Sequence, residues 1–351
     1  MTHTLAIIGF GGMGGWHCDN IRERVHEIRV KGVYDIRPEA LEKAREKGLY
    51  TYSSVEEILA DPEIDLVTIA TPNNFHKPLA IQCLMGGKNV ISEKPVTLNA
   101  AELEEIIAAR DESGKLFSIH QNRRWDRDYN IVKTILKEGT IGKPYFIESR
   151  VQGSRGAMNG WRGHKLNGGG MVLDWGVHLI DQMMDLIPEK VVSVYANLFT
   201  IFSDEVDDNI KIMLRFENGV SALLEMSTNC FINLPRWHVS CDDGTAEVTD
   251  WSCKGRMVQL NTDAKMAWDE DIVYTEAGPT RTMAPRPVQT TKQLELPEVQ
   301  VDWSDYYKNI AAVLDGKEKL IVKPEQALRV MKVIDTIFES DRTGKGIACN
   351  I

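Results

Sequence analysis

Leu5-Ala6-Ile7-Ile8-Gly9-Phe10-Gly11-Gly12-Met13-Gly14 decides the fold class of this chain. Four consecutive apolar residues read as a buried parallel strand, and a helical pattern begins at Trp16, so the glycines fall on a strand-turn-helix junction. In that context G-x-G-x-x-G has a mechanism. The first glycine permits the tight turn, the second lets backbone approach a pyrophosphate, and the third allows close helix packing, with the phosphate at the helix N-terminus. A second strand, Val30 to Tyr34, ends in Asp35, where a dinucleotide fold places an acid on the adenosine ribose hydroxyls. Such a carboxylate repels a 2'-phosphate, so NAD is favoured over NADP as cofactor. Arg37, two residues on, tempers that preference, because a guanidinium there could accept the phosphate.

Strands and helices alternate onward from this unit. Helices are expected at Pro38 to Lys47, Val55 to Ala60, Pro78 to Met85 and Ala100 to Ser113, with strands at Leu66 to Ala70, Asn89 to Ser92 and Leu116 to His120. Two polar clusters follow strand ends: Thr71-Pro72-Asn73-Asn74-Phe75-His76 and Glu93-Lys94-Pro95. In open parallel sheets that edge binds ligands. Lys94 would polarise a hydroxyl or carbonyl oxygen beside a bound cofactor. The first domain should close near Gln121, giving 1–121 and 122–351. Gln121, Asn122, Arg123, Arg124 and Trp125 at that point would hydrogen-bond and stack on a polyol; a hinge held by salt bridges is the other reading of the same residues.

The stretch Gly168-Gly169-Gly170-Met171-Val172-Leu173-Asp174-Trp175-Gly176-Val177-His178-Leu179-Ile180-Asp181 carries three acid-base groups at helical spacing. Apolar residues surround them on nearly every other face, so the helix reads as buried almost all round. Buried carboxylate and imidazole must be paired or face a cleft. In a cleft, Asp174 would orient His178 and stabilise its protonated form, leaving a base poised near neutral pH.

Composition bounds the partners. The chain has 351 residues, 43% hydrophobic and 26% charged, which suits two globular domains. A net charge of -10 argues against nucleic acid or an anionic membrane surface as partner. The six cysteines, 18, 83, 230, 241, 253 and 349, show no zinc-site spacing, so no metal is expected and free thiols are. The N-terminus lacks a basic segment ahead of a long apolar run, and no window is apolar enough for a membrane span, which together point to the cytoplasm.

The glycine fingerprint, the Thr71 to His76 cluster, Glu93-Lys94-Pro95, and Asp174 with His178 behind a triple glycine together resemble the Gfo/Idh/MocA oxidoreductases, a family named for glucose-fructose oxidoreductase and inositol dehydrogenase. The resemblance runs in order over most of the chain. It implies an α/β Rossmann domain with a parallel sheet, followed by an α+β domain on a large open, mostly antiparallel sheet. It further implies that Lys94, Asp174 and His178 are catalytic, with His178 the base for the substrate hydroxyl. Gly9, Phe10, Gly11, Gly12, Met13, Gly14, Asp35, Arg37, Thr71, Pro72, Asn73, His76, Glu93 and Lys94 would hold the cofactor.

The remaining sequence agrees. A helix from Tyr129 to Glu138 precedes a strand at Tyr145 to Val151 and a polar loop, Gly153 to Asn167, whose Trp161, Arg162, His164 and Lys165 are candidates for substrate recognition, as against a merely solvated loop. Strands at Val191 to Phe202, Asn209 to Phe216 and Val220 to Met226, the last two joined at Asn218-Gly219, signal consecutive hairpins. Trp237 to Cys241 and Thr245 to Val248 flank Asp243-Gly244 likewise. An outer sheet face covered by a second subunit would give a homodimer or homotetramer. Residues 262–300, rich in threonine and carrying Pro279, Pro285, Pro287 and Pro297, read as a long excursion or arm. Helices at Trp303 to Leu314 and Pro324 to Ser340 follow. The expected reaction passes a hydride between a nicotinamide and a secondary carbinol carbon of a sugar, glycoside or cyclitol, a small-molecule carbohydrate or polyol. Two alternatives remain at this point: a tightly held cofactor recycled by a second sugar, and a non-catalytic NAD-binding sensor.

Overall fold

The computed structural model describes residues 2–261, 272–281 and 287–351. Strands β1 (His3–Ile8), β2 (Ile28–Tyr34), β3 (Tyr50–Thr51), β4 (Leu66–Ile69), β5 (Asn89–Ser92) and β6 (Phe117–Ile119) form a six-stranded sheet in the order β3-β2-β1-β4-β5-β6. All its pairings are parallel. The strand order reverses between β1 and β4, where such sheets open a crevice at their carboxyl edge. Helices α1 (Gly12–Arg24), α2 (Pro38–Glu46), α3 (Val55–Ala60), α4 (His76–Met85) and α5 (Ala100–Ser113) make the crossovers.

Local chemistry sets these elements. Ser54 and Asn99 accept from the backbone N–H three residues on, capping α3 and α5. Gly114, at φ 64°, ends α5 in the left-handed conformation. Leu66, Val67 and Ile69 of β4 are fully buried because helices cover both sheet faces, and each such side chain contributes about 1.5–3 kcal/mol.

The second half begins with α6 (Arg127–Glu138), β7 (Pro144–Gln152) and α7 (Val177–Leu186), then β8 (Val191–Phe199), β9 (Asn209–Phe216), β10 (Ser221–Ser227), β11 (Trp237–Cys241), β12 (Gly244–Val248) and β13 (Gly255–Leu260). A short ribbon of β14 (Ile272–Thr275) and β15 (Gly278–Arg281) precedes β16 (Thr291–Leu294), α8 (Ser304–Leu314), α9 (Pro324–Thr343) and β17 (Ile347–Ala348). Nine of the strands make a sheet in the order β16-β13-β12-β11-β7-β10-β9-β8-β17. The sheet is mixed: β7 and β10 run parallel, and its other pairings are antiparallel. Helices α7 and α9 pack on it, and β9 alternates strictly between buried and exposed residues. Tyr195, Phe199 and Met213 stand exposed on the opposite face among Lys211 and Arg215.

The excursion expected over 262–300 is only partly an arm. Residues 262–271 and 282–286, Pro285 among them, lie outside the described residues. The β14–β15 ribbon pairs with itself, but Thr291–Leu294 returns to the large sheet against β13. Among the described residues no helix is long and apolar enough to cross a membrane.

Candidate active site

The turn between β1 and α1 shows why glycine is required at two of its positions. Gly9 lies at φ +91°, and a Cβ on Gly14 would fall 2.0 Å from the Gly9 carbonyl oxygen. At Gly11 a Cβ would meet only Arg37 Nη2, at 3.6 Å, so the space over that residue is open to a ligand. No side chain caps the N-terminus of α1 and no acid occupies its first turn, leaving its partial positive charge for an anion. At the end of β4, Thr71 Oγ1 is buried without a hydrogen-bond partner. An anion-accepting helix end, an open glycine and an orphan hydroxyl on one sheet edge fit a dinucleotide.

Asp35 ends β2 beside that turn. Its Oδ2 accepts from the Phe10 N–H at 2.7 Å, and Arg37 chelates it through Nε and Nη2, both at 3.0 Å, and through its own N–H at 2.9 Å. Burial opposes ionisation, but the Arg37 and Phe10 hydrogen bonds outweigh it and hold the carboxyl below its usual range.

The two polar clusters brace the edge rather than simply lining it. Following Pro72, Asn73 is buried and donates to the Gly168 carbonyl at 2.8 Å, tying the first cluster to the triple glycine. His76 lies between the carbonyls of Pro95 and Thr71, with Nδ1 and Nε2 at 2.8 and 2.9 Å; burial lowers its pKa, against the pull of the two carbonyls, so the neutral ring donates to one of them at a time. Glu93 is buried, its Oε1 accepting from His17 Nε2 and His120 Nδ1, each at 2.8 Å, and its Oε2 from the Lys94 N–H at 3.0 Å. This buried His17–Glu93–His120 cluster could not be read from sequence, since its members are brought together from α1 and from the ends of β5 and β6. The Lys94–Pro95 peptide is cis.

Lys94 Nζ reaches across to Asp174, lying 3.0 Å from Oδ1 and 2.8 Å from the Asp174 carbonyl oxygen. Arg162 Nε approaches the same Oδ1 at 3.3 Å. His178 is buried, and its Nδ1–H donates to Gln121 Oε1 at 3.2 Å, fixing the tautomer that leaves Nε2 as acceptor. Two expectations from helical spacing are corrected here. Asp174 pairs with Lys94 and Arg162, and Gln121 orients His178. Residues Val172–Gly176 form a π turn ahead of α7, which widens the helix at Asp174 and breaks the simple i, i+4 stripe. Nor is the histidine protonated near neutral pH: burial, then the charges of Lys94 and Arg123, push its pKa well below the ordinary value. The third acid of the stripe, Asp181, is buried in a bidentate pair with Arg124, at 2.6 and 2.7 Å. Gln121, expected only as one of the polyol-binding groups past the end of β6, instead holds His178, a role the sequence reading did not give it.

The triple glycine serves close approach by protein. A Cβ on Gly168 would fall 2.3 Å from Leu98 Cδ2, on Gly169 2.2 Å from the Arg162 carbonyl, and on Gly170 2.5 Å from Asp207 Oδ1. The Gly169 contact seats the loop carrying Trp161 and Arg162 against the start of the π turn. Arg162 lies over the Trp161 ring at 4.4 Å. His164 points elsewhere, exposed and 3.6 Å from Glu205. Asn122 is half-buried at the start of a 3-10 turn, Arg123 stacks over Trp175 at 4.1 Å, and Trp125 meets Tyr306 edge-on. Trp175 in turn lies edge-on to His178 at 5.9 Å between rings.

Comparison with known proteins agrees with this geometry. Residues 4–121 match the model of an oxidoreductase family with an NAD-binding Rossmann fold, and residues 129–247 match the GFO/IDH/MocA C-terminal domain. The chain is 41% identical to an NAD-binding protein from Listeria innocua of known structure, covering 99% of each chain with a TM-score of 0.92. It is 26% identical to the scyllo-inositol 2-dehydrogenase (NADP(+)) IolW of Bacillus subtilis, over 99% of this chain and 96% of that one. A myo-inositol 2-dehydrogenase of Thermotoga maritima is 27% identical over 64% of this chain and 68% of its own. A nucleotide-accepting parallel sheet, a lysine, aspartate and histidine gathered at its edge, and matches to both family models lead to one conclusion: the chain belongs to the GFO/IDH/MocA family of NAD(P)-binding oxidoreductases.

Proposed function

We propose that this protein is an NAD-dependent dehydrogenase that interconverts a secondary hydroxyl and a ketone on a sugar, glycoside or cyclitol. The observation that carries this reading is the convergence of Lys94 on Asp174 beside a neutral His178 held by Gln121. Residues 1–121 serve as the cofactor domain and 122–351 as the substrate and assembly domain, the chain working as a homodimer or homotetramer. The fingerprint glycines, Asp35 and the Thr71 edge would hold the dinucleotide, whose nicotinamide supplies the two-electron acceptor when bound.

His178 Nε2 takes the hydroxyl proton. The lowered pKa keeps that nitrogen free to accept, and the Gln121 contact keeps it aimed. Lys94 donates to the reacting oxygen and steadies the charge that builds on it, exchanging one of its two Asp174 contacts for the substrate. Asp174 keeps the ammonium placed. Arg162 and Trp161 close over the ring and Asn122 holds one of its other hydroxyls, while Arg123 and Trp125 contact the substrate beyond that ring. Relatives whose names are inositol dehydrogenases support the polyol class.

The test is reduced-nicotinamide fluorescence of the purified protein with NAD or NADP and a panel of sugars, glycosides and inositols. Signal with one substrate class is the expected outcome. Silence with NAD recovered from the denatured protein would replace the reading with a tightly held, recycled cofactor. Silence without it would favour a sensor.

A further inference from the structure

Five of the chain's eight tryptophans line one cleft. It has a volume of about 760 Å³ and opens between α1, residues 123–128, Trp175, Trp251 and residues 301–303. Trp175 and Trp251 form one tilted pair, with ring centroids 6.0 Å apart, and Trp16 and Trp303 another at 5.6 Å. Trp125 is the fifth ring. Trp251 is 50% exposed and Trp303 37%, an unusual outlay of large apolar surface in a concave site unless a ligand covers it. The cleft begins where the reacting centre ends, since Trp175 borders both it and His178.

Most of its charges are matched within the protein. Arg123 pairs with Asp126 at 2.9 Å while lying over Trp175, and Arg24 pairs with Asp302 at 3.6 Å on the far rim. Trp303 Nε1 donates to Asp126 at 3.2 Å. Of the three lining arginines, a phosphorylated or carboxylated ligand would find Arg24 and Arg123 already paired and only the exposed Arg127 left at the rim. Flat aromatic faces edged by compensated polar groups instead suit a neutral ring bearing hydroxyls or an aromatic system. The volume falls within the roughly 300–1,000 Å³ typical of pockets that take ligands larger than a single six-membered ring.

We propose that this cleft is a second-ring subsite, so that the preferred substrate is a neutral glycoside with its reacting ring at His178 and its linked ring on the tryptophans. The inference rests on the dehydrogenase reading above and narrows its substrate class. It is tested on the full chain with NAD by comparing kcat/KM for a methyl glycoside, a disaccharide and a phenyl glycoside that share one reacting ring. The ring-bearing substrates should be preferred about tenfold to a hundredfold. That ratio should collapse toward one in Trp251→Ala and Trp303→Ala, with Trp251→Phe and Trp303→Phe retaining part of it. Equal kcat/KM across the three substrates in the unmodified protein overturns the subsite and leaves the dehydrogenase standing. A preference that persists through both alanine variants places the second ring elsewhere and likewise overturns it. Weakened NAD affinity in those variants would assign the cleft to the cofactor. No turnover of any glycoside, sugar or cyclitol sinks both readings.

Discussion

Lys94 and Asp174 meet twice: the ammonium lies 3.0 Å from the carboxylate and 2.8 Å from the carbonyl oxygen of the same residue. The second contact exists because the π turn over Val172–Gly176 leaves the wider helical geometry in which that carbonyl is within the lysine's reach. Burial opposes ionisation of Asp174, yet Lys94 and Arg162 together hold its carboxyl below the usual range, so Asp174 meets the lysine as a carboxylate.

Replacing Lys94 by methionine keeps much of the side-chain length and removes the charge. Turnover should fall by about three orders of magnitude, the scale of losing a donor aimed at developing oxygen charge. Lys94→Arg should not restore it, because a planar fork cannot occupy the point position between the carboxylate and the carbonyl. Steady-state kinetics checks both variants. Turnover of Lys94→Met within tenfold of the parent would remove Lys94 from the reaction.

His178 gives a pH prediction with a definite sign. Its pKa is depressed, so the neutral base persists below the ordinary histidine range near 6.5, and the acid limb of kcat/KM should fall below that value. Gln121→Glu puts a carboxylate against Nδ1–H, favours the imidazolium and should move the limb to higher pH. Gln121→Leu removes the acceptor and should lower kcat about tenfold to a hundredfold without moving the limb upward. A limb that stays put in Gln121→Glu would show that another group controls it.

How much of this was legible depended on how local the determinant was. Gly9, Gly11 and Gly14 announce themselves because a tight turn, an open approach and a close packing contact are demanded within six residues. Asp35 and Lys94 follow from strand ends, which apolar runs mark well. The exchange of partners around Asp174 was not legible, because a π turn changes helical phase while its residues, Gly176 included, still read as an ordinary buried helix. The His17–Glu93–His120 cluster and the Arg124–Asp181 pair join segments 27 to 76 residues apart. Burial there is set by the fold, and no periodicity encodes it. The parallel β7–β10 pairing escaped for the same reason, since hairpin signals describe only neighbours in sequence.

Asp207 links the π turn at Val172 to stability. Its carboxylate accepts from the Val172 N–H at 2.8 Å, and burial nevertheless raises its pKa to about 6. The folded protein therefore binds this proton more tightly than the unfolded chain, whose aspartate titrates near 3.9. The group's contribution to stability is full below about pH 4 and is lost as pH rises through 6. Across that range the stability of the parent relative to Asp207→Asn should fall by roughly 2–3 kcal/mol, since each tenfold change in proton affinity is worth about 1.4 kcal/mol. Urea unfolding of both proteins at pH 4.5 and 7 checks the slope. A constant difference between them would mean that Asp207 titrates normally.

We expect cofactor choice to turn on the pair formed by Asp35 and Arg37. Asp35 receives four hydrogen bonds, from Phe10 N–H, Arg37 N–H and two guanidinium nitrogens, which fill the roughly four lone-pair sites of a carboxylate. A ribose diol can therefore bind Asp35 only if the guanidinium lets go, and the Arg37 side chain, 56% exposed, is free to swing outward. With NADP the same arginine could turn to the 2'-phosphate, but it would leave that phosphate beside an uncovered carboxylate, a like-charge contact that costs several kcal/mol. NAD should thus be preferred by the parent. Asp35→Ser removes the repulsion and releases Arg37 together, so the NAD to NADP ratio of kcat/KM should fall at least about a hundredfold. Arg37→Ala uncovers the carboxylate permanently and should move the ratio the opposite way. Parallel assays with the two cofactors decide the matter, and a parent that prefers NADP would overturn the assignment of Asp35 as the discriminating group.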